Sequence, residues 1–367
     1  MSQVRIQYHS FALWRLLAAL LVTAYHFCDA APNGAQLQAW FEKMTPLLDM
    51  FFVLSGFLIY DRYHDRVTGG ASYVSFLLRR LARLYPLHAV TMGFFVLVAI
   101  AASTGVLPTA GSSWQSRFDL AQLWHNVLLV EAWGVHDTLT FNYVSWSLSA
   151  EWFAYLVFPL LVFAGLRGGL WGLVLLLAGV VGGLELVSAS NPTAGPWQEA
   201  TTWAAWRVLA DFLFGAVICV AAGRVSIRVP SLLPAWLLLG AAIVSMHAGL
   251  GFYASMGLIG LAVLGGALAE RQRGPGRDGL MAPLMPIAAV SFGIYMWHPV
   301  VQMVMFDLLW IRIIAGSSEV GFFVWAGLAV VLTIGMALAS LRWFEKPVGD
   351  WLARLWSRPS VSGARAA

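Results

Sequence analysis

Phe11–Cys28 reads FALWRLLAALLVTAYHFC, an apolar run broken by two polar side chains, Arg15 and His26. Such a run is long enough to cross a bilayer as a helix. An ionisable group inside it is costly enough to mark a polar pathway or a site. Arg15 and His26 are eleven residues apart. At about 100° per residue this is three turns plus about 20°, so both project from one face, about 16 Å apart along the axis. One polar stripe runs through an otherwise greasy helix.

The remainder of the chain repeats the apolar theme. It has 367 residues, 60% hydrophobic and 11% charged, with 18 Trp and 22 Phe, and a mean hydropathy of +0.75. No water-soluble fold hides that much apolar surface, so the composition implies an all-α, polytopic membrane bundle. Apolar windows fall at 11–28, 44–60, 87–106, 147–166, 169–188, 203–222, 231–248, 251–269, 284–308 and 321–341. They predict about ten transmembrane helices. A net charge of +4 does not point to nucleic acid, because the basic residues sit in short connections between apolar runs. With both termini on the cytoplasmic side, seventeen Lys and Arg fall inside and three, Lys43, Arg117 and Arg312, fall outside. The positive-inside rule supports that orientation. Arg15 and Arg207 are left within the membrane.

The first run differs from a signal peptide in carrying a charge at its middle, and it reads as a retained helix. Residues 1–350 form the membrane domain and 351–367 a short cytoplasmic tail. No internal repeat is visible, which weakens the case for a transporter of two related halves. Cys28 and Cys219 lie in apolar segments and read as small core residues, with no metal site implied.

Several later stretches carry polar groups of their own. Asp49–Tyr60 holds Ser55-Gly56-Phe57, where the small pair suits either a site or a close helix crossing. Phe76–Pro86 carries Arg79, Arg80 and Arg83. Arg80 and Arg83 are neighbours on one face if the stretch is helical, and their guanidinium forks suit a phosphorylated ligand. Topology determinants or lipid-headgroup contacts are the alternative. Trp146-Ser-Leu-Ser-Ala-Glu151 opens the fourth window with an aromatic belt and a carboxylate about a turn inside the helix. Glu151 should face a polar interior. Tyr295 and His298 share a face before Pro299, which can kink the helix, although a lone membrane histidine is also a common structural group. Glu345-Lys346-Pro347 closes the last window, where a charge pair at headgroup level is the simpler reading.

Taken in order, these motifs resemble the acyltransferase-3 family of integral membrane O-acyltransferases. The family includes O-acetyltransferases of O-antigen, exopolysaccharides and Nod factors. The motifs run from residue 11 to 347, and the resemblance is to members without an appended extracytoplasmic hydrolase-like domain. It implies transfer of an acyl group, usually acetyl from cytosolic acetyl-CoA, to a hydroxyl of a cell-surface or lipid-linked saccharide at a bacterial inner membrane. Partner proteins of polysaccharide biosynthesis belong to the same expectation. By the resemblance, His26 is catalytic, Arg15 is functionally required, and Arg80 and Arg83, with Arg79 beside them, are associated with CoA.

O-acyl transfer needs a proton acceptor for the hydroxyl and stabilisation of a developing oxyanion. His26 is the natural acceptor, either as a general base in direct attack or in a relay through a covalent intermediate. Glu151 ranks next as a catalytic group. Asp49, Ser55, Gly56, Phe57, Trp146, Tyr295 and His298 are expected to line the site. A transporter or flippase of a polysaccharide precursor is the rival reading.

Overall fold

A computed structural model describes residues 6–107, 116–191, 195–272, 279–314 and 319–356, so the calls on Arg5, Arg273, Arg277 and the tail beyond 356 lie outside the described residues. The described chain is helical, and no strand occurs among the described residues. Its main helices are α1 (His9–Phe27), α2 (Gly34–Glu42), α3 (Pro46–Tyr63), α4 (Gly70–Ser103), α5 (Leu123–Leu128), α6 (Trp146–Ser190), α7 (Ala204–Arg224), α8 (Leu233–His247), α9 (Phe252–Gln272), α10 (Ser291–Gln302), α11 (Glu319–Ser340) and α12 (Lys346–Trp356). π-helical segments follow α10 at Met303–Ile314 and α11 at Leu341–Glu345.

Among the described residues, seven helices are long and apolar enough to cross a membrane, or eight when the bent pair α2–α3 is counted as one span. The sequence windows relate to these spans in an instructive way. Windows 147–166 and 169–188 fall in one 45-residue helical element, α6. At 1.5 Å per residue a straight rod of that length would be about twice the thickness of the hydrocarbon core. Gly169, at φ 57° and ψ −137°, breaks it. The chain doubles back there so tightly that a Cβ on Gly172 would collide with the Ala164 carbonyl. Window 231–248 becomes the fifteen-residue α8, shorter than a full span. Arg79, Arg80 and Arg83, expected in an interhelical connection, lie instead on the 34-residue α4, which runs continuously into window 87–106.

α7 packs between α3 and α6. Where α3 and α7 cross, Gly56 and Gly215 face each other's backbones: a Cβ on Gly56 would strike the Phe212 main chain, and one on Gly215 would strike Val53 and Gly56. Small residues permit that approach, and close packing replaces the hydrophobic effect as the adhesive between membrane helices. Beside the crossing, Asp49 and Arg207 form a sealed, two-pronged ion pair, Nε to Oδ1 at 2.7 Å and Nη2 to Oδ2 at 2.9 Å.

α1 is buried along much of its length, with Phe11 and Trp14 fully enclosed. Its N-terminal amides are held by Glu270 at the end of α9, which accepts from Ser10 N at 2.6 Å and His9 N at 2.9 Å. A carboxylate at this position satisfies orphan donors and complements the helix dipole. Around the outside, large apolar side chains such as Leu175, Leu186, Val244 and Val331 are exposed, as lipid-facing positions should be. α12 crosses the bundle end against α4, its Gly349 packed near the Ala82 carbonyl.

Candidate active site

The polar stripe of α1 serves two separate groups of residues. At the end of the bundle that bears Arg79, Arg80 and Arg83, the Arg15 guanidinium lies 4.2 Å from the centroid of the Phe51 ring. Arg83, Glu151, Tyr155 and Arg80 are near enough to act on its charge. Glu151 is buried and accepts a 2.6 Å hydrogen bond from the Tyr155 hydroxyl. Arg80 donates to the Tyr63 hydroxyl at 3.2 Å, and Arg79 to Ser75 Oγ at 2.6 Å. The Nε atoms of both Arg15 and Arg80 are buried without a hydrogen-bond partner. An open cavity of about 470 Å³ adjoins this cluster, lined by Arg79, Arg80, Arg83 and Lys346 together with Phe292 and the carboxylates of Glu345 and Asp350.

Toward the other end, the His26 ring stacks on His298 with centroids 5.3 Å apart and planes 22° from parallel. Tyr143 closes a third side, its ring centroid 4.8 Å from that of His26. Gln302 ties the group together: its amide donates to the His26 carbonyl at 3.0 Å and accepts from the Tyr143 hydroxyl at 2.7 Å. His298 is fully buried, and neither ring nitrogen makes a hydrogen bond of normal geometry, although the carbonyls of Ile294 and Tyr295 lie close. Tyr295 bridges toward the first cluster, with its ring 6.4 Å from Phe51 and 5.7 Å from His298 and its hydroxyl donating to the Val144 carbonyl at 3.3 Å.

Between the clusters the stripe passes a void of about 10 Å³ lined by Ala18, Ala19, Leu48, Phe51, Phe52, Ser147 and Tyr295. The expected residues therefore divide. Arg15, Glu151, Arg80 and Arg83 come together, with Arg79 on the cavity wall, while Tyr295 stands at the constriction beyond which His26 and His298 pair. Trp146 is buried against Phe52 near the same narrowing. Asp49, Gly56 and Phe57, expected to line the site, are committed elsewhere. Asp49 is spent on Arg207, Gly56 on the α3–α7 crossing, and Phe57 on an aromatic cluster with Tyr8 and Phe11 at ring distances of 5.2 Å. Ser55 is buried beside Gly56 on α3.

Tyr143, Tyr155 and Gln302 join the site without having been marked in the sequence. Tyr155 had an available signal, since it lies one helical turn after Glu151 on the same face. Tyr143 and Gln302 had none, because one precedes its helix and the other is an ordinary polar residue at a helix end.

Comparison with known proteins gives the arrangement its context. The model of the acyltransferase domain family matches residues 8–342, which takes in both clusters and every helix from α1 to α11. The chain is also 35% identical over 158 residues to an acyltransferase, MdmB, of Streptomyces mycarofaciens. That alignment covers 40% of this chain and 37% of the relative, so the chain spans little more than a third of its length there. No solved structure matches. The chain thus belongs to the acyltransferase domain family.

Proposed function

We propose that the protein moves an acyl group, acetyl for preference, from cytosolic acyl-CoA to a hydroxyl of a cell-surface or lipid-linked saccharide, in a bacterial inner membrane. The observation that carries this reading is the placement of Arg15 and His26 on one stripe of α1, one beside an arginine-lined cavity and the other against a second imidazole. The cavity suits the donor. Its guanidinium forks match phosphate oxygens, and the unpartnered buried Nε of Arg80 is a donor awaiting an acceptor. Acyl-CoA supplies an activated thioester carbonyl, and the rest of the chemistry falls to the chain.

Arg79, Arg80, Arg83 and Lys346 hold the nucleotide phosphates at the mouth. Arg15, with its own unpartnered Nε, donates to a carbonyl oxygen in the passage. His26 takes the proton from the acceptor hydroxyl as its oxygen bonds to the thioester carbonyl carbon, the C–S bond breaks, and the departing CoA sulfur takes up that proton, while Tyr143 and Gln302 hold the imidazole and its backbone in place. Glu151 and Tyr155 set the charge balance around Arg15. The constriction at Phe51, Phe52 and Tyr295 must widen for the thioester to reach the imidazole.

The test uses purified protein reconstituted in liposomes with acetyl-CoA and a saccharide acceptor. Release of free CoA that depends on the acceptor, lost in His26→Ala while membrane insertion is kept, supports the reading. Wild-type turnover in His26→Ala removes His26 from the chemistry, and acceptor-independent behaviour of the wild type removes the saccharide.

A further inference from the structure

Two Arg–Asp pairs among the described residues, Asp49–Arg207 and Arg117–Asp307, are built differently. Asp49–Arg207 is doubly bonded and sealed, the side chains 0% and 2% exposed. Arg117–Asp307 meets through one contact, Nη1 to Oδ2 at 3.3 Å, with side chains 28% and 30% exposed. The Nε and Nη2 atoms of Arg117 are buried and lack any hydrogen-bond partner. A guanidinium held only for stability gains by using its whole fork on the carboxylate. This one keeps two donors idle, and idle buried donors are costly.

The position of the pair gives those donors an object. The Arg117 guanidinium lies 5.7 Å from the ring centroid of Tyr143, the residue that stands 4.8 Å from the His26 ring. Arg117 is also near enough to His26 for its charge to act there. Asp307 projects from the π-helical segment that follows α10, five residues beyond Gln302. π-Helical distortions are frequent at functional sites, because they re-aim side chains that a regular helix would bury. Phe95 and Phe118 supply the other two faces around the guanidinium, at 5.7 and 5.6 Å. The pair lies at the His26 end of the stripe, away from the cavity with Arg79, Arg80 and Arg83.

We propose that Arg117 and Asp307 form the acceptor subsite, binding neighbouring hydroxyls of a saccharide so that the adjoining hydroxyl faces His26. The carboxylate accepts a hydrogen bond from one hydroxyl, and the guanidinium donates to a second oxygen through Nε or Nη2. The pair's existing bond supplies its orientation before the acceptor arrives. The inference rests on the acyltransfer reading given above and adds to it the residues that select a polyol. Arg117 and Asp307 are specificity residues here and move no proton in the reaction.

The experiment compares two acceptor probes, methyl α-glucopyranoside and ethanol, with acetyl-CoA as donor and reconstituted protein. The wild type should favour the glucoside, because a site that hydrogen-bonds substrate hydroxyls rejects an alcohol lacking them. Arg117→Met and Asp307→Asn should each lower kcat/KM for the glucoside by at least about 10-fold. Binding of acetyl-CoA should stay near wild type, and transfer to ethanol should fall far less than transfer to the glucoside. Asp307→Asn keeps the shape of the pair, so it guards against a folding defect in Arg117→Met. Equal losses for both probes, or no loss for either, would overturn the subsite while leaving the acyltransfer reading intact. A wild type that turns over ethanol as readily as the glucoside would overturn the saccharide reading and the subsite together.

Discussion

His26 of α1 and His298 of α10 face one another with ring centroids 5.3 Å apart, although they lie 272 positions apart in the chain. Their different surroundings give them different roles. The backbone of His26 is held by Gln302 and its ring is partly open, whereas His298 is fully enclosed. His26→Ala should abolish transfer. His298→Phe, which retains the stacked surface, should leave donor binding intact and lower kcat by about 10- to 1000-fold, as loss of a group that orients a general base does. Single-turnover kinetics separates the two effects, and an unchanged kcat in His298→Phe would reduce that residue to packing.

The narrow stretch of the stripe should be sensitive to added volume. Ala18→Leu places three extra carbons beside the void of about 10 Å³. Overpacking of a buried site costs about 1–3 kcal/mol, and the added side chain also blocks passage toward His26. Acetyl-CoA affinity should remain, since Arg79, Arg80 and Arg83 are untouched, while transfer falls by orders of magnitude. Equilibrium binding and turnover measured on the same preparation decide the matter. Arg80→Ala combined with Arg83→Ala should show the reverse pattern, with weakened donor binding as the primary defect.

Arg207 should matter to stability more than to chemistry. Arg207→Met leaves Asp49 without its cation, beside a second buried carboxylate, Asp211. Breaking a buried pair from one side costs about 3–5 kcal/mol, whereas replacing both partners with apolar groups is often neutral. The double variant Asp49→Leu with Arg207→Met should therefore recover most of the loss in thermal unfolding in detergent. A double variant no better than the single one would refute the account.

Glu131 gives the fold a pH dependence. It lies between α5 and α6, accepts a 2.7 Å hydrogen bond from Ser145 Oγ, and leaves its Oε2 unpartnered. Burial pushes its carboxyl up to about 8. Because the folded value lies above the unfolded one, the folded state binds more protons between roughly pH 4.5 and 8. Stability is greatest below the unfolded value, declines as pH rises across that window, and levels off above about 8. The decline is on the order of a few kcal/mol. Glu131→Gln should flatten it, and melting curves at pH 5, 6.5 and 8 would show whether it does.

The groups that could be anticipated and those that could not differ in a physical way. Arg15, Glu151 and His298 are polar groups in apolar runs, and the cost of burying them makes each conspicuous on its own. Their partners are less visible. That His26 meets His298, or that Asp49 meets Arg207 across 158 positions, depends on which helices adjoin. Hydropathy carries no information about that. Asp49, near the outer end of its run, could have sat at the interface, yet it is fully buried and consumed by an ion pair with Arg207. Gly56 was ambiguous between site and packing, and the opposing Gly215 resolves it as packing. Arg117 and Asp307 gave no signal, since charges in connections and at helix ends carry no burial cost until the tertiary structure imposes one.

The narrowing beside Ala18 and Ala19 also has an electrical meaning. A void of about 10 Å³ has room for one water molecule at most, so no file of water runs through this void between the arginine cluster and the histidine pair. Protons hop along such files, and in a membrane protein a continuous one would short-circuit the potential across the bilayer. Kept this narrow, the stretch beside Ala18 and Ala19 insulates the arginine cluster from the histidine pair.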